Sequence, residues 1–196
     1  MYSVVEIFTS LQGEGQFVGY PVNFVRLAGC SMGCKFCDTD LKEREVLTAA
    51  EILPRLKPQF SRTVVLTGGE PLEQDCRDIV VALHDAGYKI HLETNGTQPI
   101  PRGWFEWVSM SPKPKEAPGV GNYLRANEIK WLVPLWSFED IMYWVHQLFG
   151  AEHYVQPVNN RLSINRKALT TALSYIERAD GRLSLSIQQH KLLKIR

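Results

Sequence analysis

The sequence predicts an α/β fold in which mainly parallel strands, joined by helical crossovers, form an incomplete, partly open barrel. Three observations carry this expectation. Short β-branched runs alternate with helical patterns along most of the chain, which is the order parallel sheets require. The unusual polar motifs fall just after strands, and parallel α/β folds gather ligands on the face where strands end. A length of 196 residues leaves too few strand–helix units for a full eight-fold barrel. The chain reads as one domain, residues 1–196, without internal repeats.

Composition narrows the class. A hydrophobic fraction of 44% is enough for a sizeable core. Lys and Arg number 22 against 21 Asp and Glu, a formal net charge of +1, which argues against a broad nucleic-acid footprint. No apolar run is long enough to span a bilayer, so no membrane partner is expected. The start, Met1-Tyr2-Ser3-Val4-Val5-Glu6-Ile7, lacks the features of a signal peptide, and a cytoplasmic location is the expectation. In that compartment, crowded cysteines read as metal ligands or redox groups rather than disulfides.

The elements follow in order. Ser3 to Phe8 alternates as a first strand. Thr9 to Gln16 is a loop with two glycines, either a plain turn or a backbone that approaches a ligand closely. Pro21 to Leu27 is a second strand, with Arg26 on the face opposite Val25 and Leu27. Thr48-Ala49-Ala50-Glu51 has the spacing of a capping box, and Pro54 should shorten the helix it opens. Thr63 to Thr67 is a buried strand running into Gly68-Gly69-Glu70-Pro71. A helix is expected from Leu72 to Ala86, with Cys76 on its buried face and Gly87 at its end.

Tyr88 to Leu92 and Trp107 to Met110 are strands, and the crossover between them is too short for a long helix. Residues 112–122, rich in Pro, Lys and Gly, should be loop. Glu128 to Val133 is a strand, and Ser137 caps a helix ending at Gly150. His153 to Gln156 is a strand, Asn165 to Arg178 a helix and Leu183 to Ile187 a last strand.

The chemistry centres on Cys30-Ser31-Met32-Gly33-Cys34-Lys35-Phe36-Cys37. Three thiolates in the pattern C-x3-C-x2-C can ligate one iron–sulfur cluster or one metal ion. A [4Fe–4S] cluster held by Cys30, Cys34 and Cys37 alone would leave one iron open to a small ligand's amino and carboxylate groups. Structural zinc is the other reading. It needs a fourth ligand from elsewhere, such as His84, His91 or Asp38. Gly68-Gly69 at a strand end offers backbone to a ligand without side-chain obstruction.

At this point the residues resemble a known group of enzymes. The cysteine pattern with Phe36 before the last cysteine, followed by Gly68-Gly69-Glu70-Pro71, resembles the radical S-adenosylmethionine (SAM) enzymes and their TIM-like partial barrel. The likeness extends through Glu6-Ile7-Phe8, Leu11 to Gly15, Arg26 to Cys30 and Cys37-Asp38-Thr39-Asp40. It continues through Glu93 to Gly96, Ser111-Pro112-Lys113, Gln156-Pro157 and His190-Lys191. Over essentially the whole chain the sequence is similar to the 7-carboxy-7-deazaguanine synthase family.

That resemblance implies a carbon–nitrogen lyase on the route to deazapurine nucleosides such as queuosine. The reaction would be a radical ring contraction of 6-carboxy-5,6,7,8-tetrahydropterin to 7-carboxy-7-deazaguanine with loss of ammonia. It implies SAM, a [4Fe–4S] cluster and Mg2+ as cofactors, an electron donor such as flavodoxin, and a homodimer. It assigns Leu11, Gln12, Gly13, Arg26 and Thr67 to substrate, with Arg26 on the substrate carboxylate as a planar, bidentate donor. It assigns Gly69, Ser111, Pro112 and Lys113 to SAM, together with Gln156, Pro157, Val158 and Asn159. It gives Thr39 to Mg2+, with Asp38 nearby. Some relatives carry an insertion between the first two cysteines that is absent here, and some end in proline where this chain ends in Arg196. A glycyl-radical-activating enzyme and a non-enzymatic zinc or iron–sulfur module remain the alternatives.

Overall fold

The computed structural model describes residues 1–37, 44–114, 118–159 and 164–195. The chain opens with β1 (Tyr2–Leu11) and turns back as β2 (Pro21–Leu27). After the cysteine loop come β3 (Glu45–Leu47) and α1 (Ala49–Ile52). Alternation then sets in: β4 (Thr63–Gly68), α2 (Arg77–Asp85), β5 (Lys89–Thr94), β6 (Trp107–Met110) and α3 (Val120–Tyr123). The last part is β7 (Glu128–Val133), α4 (Phe138–Gln147), β8 (Glu152–Pro157), α5 (Arg166–Arg178), β9 (Ser184–Leu185) and α6 (Gln189–Leu193).

These strands form one nine-stranded sheet in the order β3-β1-β2-β4-β5-β6-β7-β8-β9. Every pairing from β2 to β9 is parallel, while β1 and β3 add an antiparallel margin. The two margins do not pair, so the barrel stays open, as expected from a chain of this length.

Strand periodicity divides the sheet into two faces. One set of alternate residues enters the helix-covered core: Val25 and Leu27, Val64 and Leu66, Ile90 and Leu92, Ile129, Trp131 and Val133. The other set begins apolar, with Val22, Phe24 and Val65 packed beside Phe8. Toward the strand ends it turns polar, at Arg26, Thr67, Glu93, Lys130 and Gln156. This second face carries the site.

Local chemistry explains the helix boundaries. Thr48 and Glu51 form the capping box, with Thr48 N–H donating to Glu51 Oε2 at 2.8 Å. Pro54 limits α1 to one turn followed by a 3-10 turn at Leu53–Arg55. Ser137 Oγ accepts from Asp140 N–H at 3.1 Å to cap α4. Asn165 Oδ1 accepts from Ala168 N–H at 3.1 Å to cap α5.

The structure corrects several expectations. The helix expected from Leu72 begins at Arg77. Glu70 instead caps a 3-10 turn at Pro71–Glu73, and Gln74 turns extended, so its amide reaches the carbonyls of Ser3 and Ala28. Cys76 is therefore the helix cap rather than a residue on the helix face, although it is fully buried and its Sγ donates to the Pro71 carbonyl. The first strand runs on to Leu11, and the last keeps only Ser184–Leu185. β3, α3 and α6 were not anticipated; α3 falls partly in the expected loop. Residues 95–106, all described, carry no helix, in line with the short crossover.

Candidate active site

The cysteine loop leaves the end of β2 and is tied to the loop after β4. Gly69 N–H donates to the Leu27 carbonyl at 3.1 Å and Glu70 N–H to the Gly29 carbonyl at 2.9 Å. A Cβ on Gly69 would collide with the Gly29 carbonyl and the Cys30 Cβ, so the approach of the two loops requires glycine. Glu73 holds the loop from outside, accepting from Ser31 N–H at 2.9 Å and Ser31 Oγ at 2.6 Å. Cys37 N–H closes a turn onto the Cys34 carbonyl at 3.0 Å. Burial pushes the Cys30 thiol above its ordinary value, and Glu73 and Glu70 add to this.

Glu70 is wholly buried. It accepts from the Thr94 hydroxyl at 2.8 Å and from Asn95 N–H at 2.7 Å, locking the β4 and β5 loops together. Burial raises its carboxyl against these hydrogen bonds. Beyond it, Ser111 N–H donates to the Thr94 carbonyl at 2.8 Å, and Lys113 Nζ to Ser111 Oγ at 3.0 Å. Burial holds the Lys113 ammonium below its usual value, with Cys34 acting in the opposite sense.

The floor is a charge network. Lys130, 2% exposed, bridges Glu14 at 2.7 Å and Glu93 at 3.1 Å. Glu14 also accepts from Gln188 Nε2 at 2.8 Å and Gln156 Nε2 at 3.2 Å. Gln12 Nε2 donates to Glu93 at 2.9 Å. Burial alone would raise the Glu14 carboxyl; the Lys130 ammonium outweighs it and holds that carboxyl at about 2. On one wall, Arg26 Nε donates to Glu6 at 2.8 Å, which fixes one edge of the guanidinium fork.

One cavity of about 240 Å³ joins these parts. Cys30, Cys34 and Cys37 line it together with Gly69, Ser111, Lys113, Gln156, Pro157, Val158 and Asn159. Arg26 and Thr67, neighbours across the β2–β4 pairing, line it from the other side. Leu11, Gln12, Gly13 and Pro112 are not among the lining residues. Gln12 reaches the floor through Glu93, Gly13 lies against His190, and the Pro112 carbonyl accepts from Trp136 Nε1 at 2.9 Å. Asp38 and Thr39 lie outside the described residues. His84 and His91 do not line the cavity: His84 bonds the Trp104 carbonyl and His91 packs on Phe17.

The lining also holds Glu14, Glu93, Lys130, Gln188 and Lys191, which the sequence reading did not single out as site residues. Signals existed for most of them: Glu14, Glu93 and Lys191 fall in motifs that carry the family resemblance, and Lys130 interrupts the run Ile129-Lys130-Trp131-Leu132-Val133, as Arg26 interrupts its own strand.

Residues 24–106 match the family model of the radical SAM superfamily. A 7-carboxy-7-deazaguanine synthase of Bacteroides thetaiotaomicron is 38% identical, with 100% of both chains covered. The chain belongs to the 7-carboxy-7-deazaguanine synthase family. The synthase of the same name from Synechocystis is 33% identical, covering 100% of this chain and 94% of that one. The crystal structure of QueE from Escherichia coli superposes with a TM-score of 0.74 at 28% identity, covering 96% of this chain and 94% of that one.

As a radical SAM protein, this synthase-family member uses a [4Fe–4S] cluster and SAM. The residues present fit both. Three thiols share the rim of one cavity, beside a glycine whose missing side chain is what lets the loops approach. Among the described residues no three Cys, His, Asp or Glu side chains gather around a single-ion position. Cys30, Cys34 and Cys37 would hold the cluster. Gly69, Ser111, Lys113 and the Gln156–Asn159 segment offer backbone and polar groups next to it.

Proposed function

We propose that this protein converts 6-carboxy-5,6,7,8-tetrahydropterin to 7-carboxy-7-deazaguanine and ammonia, as a carbon–nitrogen lyase. The observation that carries this reading is the meeting, in one cavity, of the three-cysteine rim with Arg26, Thr67 and an acidic floor. The conversion is redox-neutral, with ammonia as its only by-product, so SAM can be regenerated each turnover. When bound, the cluster and SAM supply the radical that starts the rearrangement.

The chain's own residues bind, orient and exclude water. Arg26 offers a fixed cationic fork to the substrate carboxylate. Glu14 and Glu93 present carboxyl oxygens to a ring edge of N–H donors, the character of a 2-amino-4-oxopyrimidine. Lys113 and Lys191 add positive charge near the cysteines and the C-terminal helix. No side chain is required as a conventional acid or base for the first step.

The finer points belong to the same reading. Thr39, with Asp38 nearby, would hold Mg2+ through oxygen. A flavodoxin-type donor would supply electrons to a cytoplasmic homodimer. No helix among the described residues is long and apolar enough to cross a membrane. The relatives' synthase name favours a small-molecule substrate over activation of a glycyl-radical partner protein.

The test is product formation. Protein reconstituted with iron and sulfide, reduced and given SAM and the carboxypterin under anaerobic conditions, should yield 7-carboxy-7-deazaguanine by mass spectrometry. SAM cleavage with some other substrate, and no deazaguanine from this one, would sink the proposal. Zinc without iron or sulfide after anaerobic purification would point instead to a structural module.

A further inference from the structure

We propose that Lys130 is a positioning residue for substrate binding: the buried counter-ion that locks Glu14 and Glu93 into the cavity floor and so fixes segment 12–16. The inference rests on reading the cavity as the pterin site.

The geometry singles out this residue. Its ammonium joins carboxylates from two distant parts of the chain, the segment after β1 and the end of β5. Through Glu14 it reaches Gln156 on β8 and Gln188 before α6. Through Glu93 it reaches Gln12, whose Oε1 in turn accepts from Gly13 N–H at 2.7 Å and Glu14 N–H at 3.3 Å. The side-chain bonds of Gln12 and Glu14 therefore meet at one nitrogen, while the backbone is also held by Gln12 N–H on the Tyr20 carbonyl, Gly19 N–H on the Gln12 carbonyl, Gln189 N–H on the Gly13 carbonyl, Gly15 N–H on Ser186 Oγ and Gln16 N–H on Glu128 Oε2.

Stability alone does not call for a lysine there. Position 130 lies between two fully buried apolar residues, Ile129 and Trp131. Replacing a buried ion pair by apolar groups is often neutral or stabilising, whereas removing one partner strands the other charge. The charged groups facing Lys130 are Glu14, Glu93 and Glu128, with Lys113 further off; His190 faces Glu14. The ammonium holds the Glu14 carboxyl down against burial and works against the rise that burial gives Glu128, with Glu93 as a third acid beside them. Without it they repel, take up protons or swing out, and the floor loses its acceptors.

The test uses reconstituted, full-length protein carrying Lys130→Met, Lys130→Arg or Glu14→Gln. Lys130→Met should retain iron, sulfide and SAM binding. Its KM for the carboxypterin should rise roughly 10- to 100-fold, with a smaller change in kcat. The rise in KM should be larger at about pH 6 than at about pH 8, because burial, no longer offset by the ammonium, raises the Glu14 carboxyl. Lys130→Arg should restore most of the affinity. In ligand-free protein, Lys130→Met should speed hydrogen exchange at the amides of residues 13–16, and Lys130→Arg should not. An unchanged KM at both pH values, or unchanged exchange in that segment, overturns the proposal, as does a general loss of stability with KM intact. If Lys130→Met does not fold, exchange in Glu14→Gln decides: faster at residues 13–16 supports the lock, unchanged overturns it. Should wild-type protein make no deazaguanine, the substrate reading fails, yet the exchange experiment still decides the role of Lys130.

Discussion

Cys76 and Cys37 show how one residue type takes two roles within a short chain. Cys37 is exposed on the rim of the cavity, while Cys76 is buried at the start of α2 with its thiol on the Pro71 carbonyl. Burial pushes the Cys76 thiol up to about 12, with Asp75 and Glu70 adding to the shift, so it stays protonated. Cys37→Ala should therefore abolish SAM cleavage. Cys76→Ala should keep full iron and sulfide content and lose about 1 kcal/mol of stability for the small void and the lost hydrogen bond. Iron analysis and thermal unfolding of the two variants check this. Cluster loss in Cys76→Ala would mean the residue does more than fill the core.

The elements that position the site are the loops after β2 and β4, which touch where Gly69 passes Gly29 and Cys30. Gly69→Ala should force these backbones apart, at about 1–3 kcal/mol, and weaken SAM binding together with cluster retention. Equilibrium dialysis with SAM and iron content measure it; wild-type values for both would show that the loops can shift at no functional cost. The longer elements were legible in the sequence because their periodicity spans several residues. β3, with three residues, has none to read and exists through its pairing with β1. α6 is five residues long and held by Gln189 N–H on the Gly13 carbonyl. The start of α2 was misjudged because the apolar spacing from Leu72 onward says nothing of Gln74 docking on β1 and β2. The cysteine rim could be read from local spacing alone. The floor could not: Glu14 and Lys130 stand 116 positions apart, and only the order of strands brings them together.

Across the whole molecule, the network on the floor should leave a mark on stability. Glu14 titrates at about 2 in the folded protein against an ordinary 4.5. A carboxyl lowered by folding stabilises the protein above its unfolded value and loses that contribution as pH falls through the folded one. The difference in unfolding free energy between wild type and Glu14→Gln should thus be constant above about pH 5 and shrink between about 4.5 and 2. Denaturant titrations across that range measure it, and a difference independent of pH would remove Glu14 from the set of stabilising acids.

The bond from Gln189 to Gly13 joins the segment after β9 to the segment after β1. During synthesis on the ribosome, the sheet from β1 to β8 can assemble, and the cysteines can be in place, before that bond has a donor. Lys130 and Gln156 can hold Glu14 by then, and the bond from Gln188 is added last. A message cut short after Ile187 would still encode the rim and most of the core while lacking Gln188 and everything beyond it. Such a product would keep the Lys130 and Gln156 bonds to Glu14 but lose the one from Gln188 and the tie to Gly13, leaving the segment after β1 less firmly held.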